Sequence, residues 1–122
     1  MIILWIGLGG FIGAILRYGV SGWVQANAVT FPLGTLTVNF IGSFILALVM
    51  FMSEYKGYFN EEMRVFLTIG MLGSFTTFST FSYESFKLLE QQEHLLFGAN
   101  AIGSVALTLL AVYLGKMITL SL

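Results

Sequence analysis

Four runs of about twenty mostly apolar residues, joined by short polar links, fill nearly the whole chain, and this limits the possible folds more than any other feature. A hydrocarbon core about 30 Å thick takes about 20 such residues per helix, so 122 residues hold at most about four or five spans with almost nothing left for a soluble domain. The sequence predicts these spans at 2–24, 34–53, 63–89 and 95–120, in a single four-helix transmembrane domain over 1–122. Composition agrees, because the chain is 57% hydrophobic and 9% charged, whereas soluble domains carry about 25% charged residues. Arg17 is the first charge, and no basic leader or A-x-A-like cleavage site precedes it. The first span is therefore expected to be retained as a helix and not removed as a signal peptide.

The formal net charge is −1, with no basic patch or run of like charges, which argues against nucleic acid as a partner. There is no cysteine, so disulfides, thiolate metal sites and cysteine nucleophiles are excluded. All six acidic residues are glutamate and His94 is the sole histidine, so no Ser-His-Asp arrangement can form and the chain is not expected to be an enzyme. Glu90, Glu93 and His94 cluster, but E-Q-Q-E-H matches no zinc spacing and reads as a solvated turn.

The residues that break the apolar pattern carry the remaining information. In the first span Gly9 and Gly13 stand four apart, the spacing that lets helix backbones approach closely in lipid. Pro32, the one proline, suits a helix start. Asn39 lies inside the second span, where an amide without a partner is costly; interhelical bonding and a pore role are both compatible with it. The third span contains G-S-F-T-T-F-S-T-F-S from Gly73 to Ser82, seven of its ten residues being glycine, serine or threonine. That composition allows a helix to break near the bilayer midplane, a feature found where backbone is buried in protein or faces a cavity, and commonly at ion sites. In the fourth span Asn100, Ser104 and Thr108 share one helical face. Each hydroxyl could simply bond its own helix, but together with Asn39 and the third span's hydroxyls they suggest a polar track. Lys56, Arg64 and Lys116 lie on one side of the expected topology and Arg17 and Lys87 on the other, a balance too even to impose one orientation.

The stretch G-x-x-T-T-F-S-T-F-S at Gly73–Ser82 resembles the signature of the CrcB/Fluc fluoride channels. Gly9–Tyr18 (G-G-F-I-G-A-I-L-R-Y) and Gly34–Phe44 (G-T-L-T-V-N-F-I-G-S-F) resemble the same family in order and position, so the likeness covers the whole chain. It implies a multi-pass protein of the cell membrane, bacterial inner or plasma membrane, that lowers cytoplasmic fluoride by passive export. It also implies an antiparallel, dual-topology homodimer with a structural, non-transported sodium ion at its centre, bound by the backbone carbonyls of Gly73 and Thr76. By the same resemblance Phe78 and Phe81 line each pore, Asn39 donates to the ion, and Ser79, Thr80, Ser82 and Glu84 lie along the path with Ser104 and Thr108. Arg17 would stand near the pore entrance, drawing in anions or anchoring at the interface. Asn100 departs from the family, several members of which carry an aromatic there.

The chief alternative is a proton-coupled small multidrug transporter, also a four-helix dual-topology dimer of about this length. It requires a carboxylate within the first span, and this chain has none there; Glu84 is late in the third. A purely structural membrane subunit would leave the hydroxyl-rich third span without a purpose.

Overall fold

The computed structural model describes residues 1–27 and 30–122. Its long helices are α1 (Ile2–Gln25), α2 (Leu33–Lys56) and α6 (His94–Ser121), and a bent third rod runs from Glu61 to Glu90. All four are long and apolar enough to cross a membrane. The third rod consists of α3 (Glu61–Val65), a π-helical stretch over Phe66–Leu72, the single turn α4 (Gly73–Phe75) and α5 (Phe78–Glu90). Among the described residues there is no strand.

Local chemistry fixes the ends of these elements. Pro32 stands just before the first helical residue of α2, where its missing N–H costs nothing. Gln25 ties the end of α1 to the start of α2, its amide donating to the Phe31 carbonyl and accepting from the Gly34 N–H at 2.8 Å. Gly57 ends α2 in the left-handed conformation at φ 65°, which glycine adopts without a Cβ penalty. The Asn60 side chain caps α3 by accepting from the Met63 N–H at 2.8 Å. Glu90, Glu93 and His94 lie exposed at the turn between α5 and α6.

Two helix pairings organise the molecule: α2 lies along α6, and α1 lies along the π-helical stretch. Both depend on small residues. A Cβ on Gly115 would stand 2.7 Å from that of Ala47, so α6 can approach α2 only without it. Gly9 and Gly13, the two buried residues of α1, face the backbone of the third rod. A Cβ at Gly9 would lie 2.5 Å from the Phe66 carbonyl oxygen and 2.8 Å from the Met71 amide nitrogen. In lipid, where burial of apolar surface drives little helix association, contact this close supplies dispersion and short polar contacts instead. The π-helical stretch was not legible in the sequence as a separate element; π-turns occur mostly as local bulges, often at functional sites. Within it Thr68 donates to the Arg64 carbonyl and Gly70 lets α1 approach.

Candidate functional site

The third rod breaks at Thr76 and Thr77, whose backbone is extended (φ −88°, ψ 157° and φ −150°, ψ 125°). Three side chains hold the break. Asn39 of α2 grips both polar groups of Thr77: its Nδ2 donates to the Thr77 carbonyl at 3.1 Å, and its Oδ1 accepts from the Thr77 N–H at 2.8 Å. Thr77 caps α5, its hydroxyl oxygen accepting from the Thr80 N–H at 3.2 Å. Arg17 of α1 donates from Nε to the Ser74 carbonyl at 3.0 Å. The Ser74 hydroxyl lies 3.1 Å from the Gly10 carbonyl across the α1 contact, and also bonds within its own rod.

The captured amides matter for the carbonyls left behind. In a continuous helix the Thr77 N–H would donate to Gly73 and the Thr80 N–H to Thr76. Here Asn39 takes the first and the Thr77 hydroxyl the second, so the helix ladder releases the carbonyls of Gly73 and Thr76. Gly73 is exposed and Thr76 half-buried.

A cleft of about 250 Å³ opens beside the break, lined by Asn39 and Ser43 of α2, Thr76 and Thr77 at the break, Phe78 and Phe81 of α5, and Ser104, Val105 and Thr108 of α6. The two phenyl rings lie 5.5 Å apart with planes tilted by 40°. An aromatic ring carries positive charge at its edge, so rings, an amide and hydroxyls make a wall that can accept an anion without a full positive charge. Phe78 is 78% exposed on the chain surface, while Phe81 is half-buried.

Tertiary structure thus gathers Asn39, Thr76, Phe78, Phe81, Ser104 and Thr108 into one cleft. Thr80 and Glu84 face a second cleft, of about 500 Å³, with Tyr18 and Ser21 of α1 and Thr35 of α2. There Glu84 Oε1 is buried with no hydrogen-bond partner among the described residues. Ser79 and Ser82 are exposed on α5 and line neither cleft, although the Ser79 hydroxyl lies 3.3 Å from that of Thr77. Arg17, engaged with Ser74, also lines neither. Asn100 is 2% exposed and stands behind the first cleft, donating to the Ser85 hydroxyl at 2.9 Å and accepting from the Ser104 hydroxyl at 3.3 Å. It thereby fastens α5 to α6. Sequence reasoning missed Ser43 as a lining residue, although its place four residues after Asn39 puts both on one helical face.

Comparison with known proteins places this architecture in a family. The model of the CrcB-like proteins, described as CrcB-like protein, Camphor Resistance (CrcB), matches residues 4–116. The chain is 60% identical over 120 residues to the fluoride-specific ion channel FluC 1 of Methanosarcina acetivorans, covering 98% of this chain and 92% of that protein. It is 55% identical over 118 residues to FluC 3 of Methanosarcina barkeri, covering 97% and 89%. With the fluoride-specific ion channel FluC of Methanococcus vannielii it shares 46% identity over 116 residues, covering 95% and 93%. Four spans, a broken third rod and a match along nearly the whole chain make this multi-pass membrane protein a member of the CrcB family.

Proposed function

We propose that the chain is a channel subunit that lets fluoride leave the cell passively. The observation that carries this reading is the cleft at the break, where Phe78, Phe81 and Asn39 meet Ser104 and Thr108, in a chain whose relatives are named fluoride-specific ion channels. A conducting site must bind strongly enough to admit its ion and weakly enough to release it. Ring edges, one amide and hydroxyls meet that demand, whereas a fixed ammonium in low dielectric would hold fluoride too tightly. The carboxylate expected of a multidrug exchanger is absent from α1. The test is efflux from liposomes loaded with potassium fluoride and reconstituted with purified protein, with a potassium ionophore to carry the counter-charge and potassium chloride as control. Fluoride should leave and chloride stay, and Phe78→Ile or Phe81→Ile should slow fluoride while leaving the protein folded. Equal fluoride and chloride efflux would defeat the reading.

The working unit is two copies in opposite orientations. Ser82 and the ring of Phe78 stand exposed on a membrane-spanning rod, and a hydroxyl facing hydrocarbon without a partner is costly, which favours a protein covering. The even distribution of Lys and Arg between the two sides permits both insertions. A cysteine introduced in place of exposed Tyr58, between α2 and α3, should then react with impermeant reagent from both faces of the membrane.

The residues at the break fit a structural sodium ion. Released carbonyls are acceptor-only oxygen donors of the kind alkali cations take, and the carbonyls of Gly73 and Thr76 are those that the Asn39 and Thr77 side chains free from the helix ladder. Two oxygens are too few to surround a cation, so the same two from a second copy complete the set. When bound, the ion would hold the copies together by charge. Replacing sodium with a large organic cation should lower both fluoride efflux and the thermal stability of the dimer. Full efflux after exhaustive sodium removal, or sodium tracer crossing in fixed ratio with fluoride, would count against this role.

A further inference from the structure

A hydroxyl has a single proton, so a serine or threonine that donates it to the protein must break that bond before donating to an ion. Around the cleft at the break most such protons are committed. Thr76 donates to the Leu72 carbonyl at 3.0 Å, Thr77 to the Thr80 hydroxyl at 3.2 Å, Ser104 to the side-chain Oδ1 of Asn100 at 3.3 Å, and Thr108 to the Ser104 carbonyl at 2.7 Å. Asn39 spends one of its two amide protons on the Thr77 carbonyl. Ser43 differs: it lines the same cleft, yet its hydroxyl has no hydrogen-bond partner among the described residues, not even the carbonyl one turn back that a helical serine commonly takes.

We propose that the Ser43 hydroxyl is a direct anion donor in the cleft, acting beside the second amide proton of Asn39. The two residues lie one turn apart on the same face of α2, so they form a donor pair on one wall, with Val105 of α6 giving the cleft an apolar side chain. The pair needs no rearrangement before it meets an ion, because neither proton has to leave a protein acceptor. Ser104 and Thr108, by contrast, can donate to an ion only after their present bonds open. Small, strongly accepting fluoride gains more from such a pair than chloride does, so Ser43 contributes to selectivity as well as to flux.

This inference rests on the channel reading, and the experiment separates the two. Wild type, Ser43→Ala and Ser43→Cys are reconstituted in liposomes and their initial fluoride efflux rates compared, with thermal unfolding of each protein measured in parallel. Loss of one hydrogen-bond donor at an ion site is expected to slow efflux about five- to tenfold in Ser43→Ala, with the unfolding midpoint unchanged. Ser43→Cys keeps the shape but offers only a weak S–H donor, so it should be slow as well. A cysteine variant that conducts like wild type would show that the side chain matters only by filling space. It decides the question even where Ser43→Ala fails to fold. If wild-type liposomes release no fluoride, the channel reading itself falls; if they do and both variants match them, only the role of Ser43 falls.

Discussion

Asn39→Asp is expected to lower fluoride efflux by about a hundredfold or more. The carboxylate can still accept from the Thr77 N–H, but its second oxygen then stands where Nδ2 now donates to the Thr77 carbonyl at 3.1 Å, so two acceptors oppose each other. It also places a negative charge on the wall of the cleft. Like charges about 4 Å apart repel by about 4 kcal/mol at an effective dielectric of about 20, close to a thousandfold in rate, and water in the open cleft reduces this. Asn39→Ala separates the two causes, because it removes the grip on Thr77 without adding charge. The alanine variant should lose less flux but unfold at a lower temperature, since two hydrogen bonds at the break go with the amide. Equal efflux in the two variants, read in the same liposome assay, would show that the charge is not what matters.

Gly13→Val should remove more stability than any cleft substitution, by about 3 kcal/mol or more. A Cβ at Gly13 falls on the carbonyl oxygen of Met71 and on the hydroxyl of Ser74. The first is backbone and cannot swing aside. The second lies within hydrogen-bond distance of the carbonyls of Gly10, Gly70 and Met71, which compete for its single proton and leave it little room to turn away. The only relief is for α1 to move away from the third rod, which also strips the Arg17 bond from Ser74 and loosens the break. The variant is expected to yield little monodisperse protein in detergent and to unfold well below wild type. Gly7→Val is the matched control, since among the described residues nothing beyond its own helix backbone lies within 4 Å of a Cβ there. If Gly13→Val unfolds with wild type, the close approach of α1 is not what sets the position of the break.

The Gly9–Gly13 spacing pointed to close helix packing, and the structure identifies the neighbour as the third rod of the same chain. For Asn39 the structure shows the interhelical bonding, to Thr77 of the third rod, and sets the side chain on the wall of the cleft. The resemblance implies a place near a pore entrance for Arg17, and the fold adds a partner that it did not name, the Ser74 carbonyl engaged by Nε. Nothing in periodicity reveals such a partner, because a contact between residues 57 apart in sequence depends on how two helices cross. The π-helical stretch escaped for a related reason: Phe66–Leu72 is as apolar as an ordinary helix, and its extra turn width shows only in backbone bonding.

By itself the sequence determined that four helices cross a membrane, because apolar length against bilayer thickness leaves no other element that satisfies every backbone group in lipid. It also determined that the third rod would be interrupted, because Gly73 to Ser82 supplies side chains able to replace lost helix bonds. Only the tertiary structure decided where the interruption falls and what it makes available. The Thr77 N–H leaves the helix because Asn39, 38 residues away in sequence, is carried by α2 to within 2.8 Å of it. Which hydroxyls remain free to meet an ion follows from the same packing, since each proton is committed or spared by neighbours that the chain brings together only on folding.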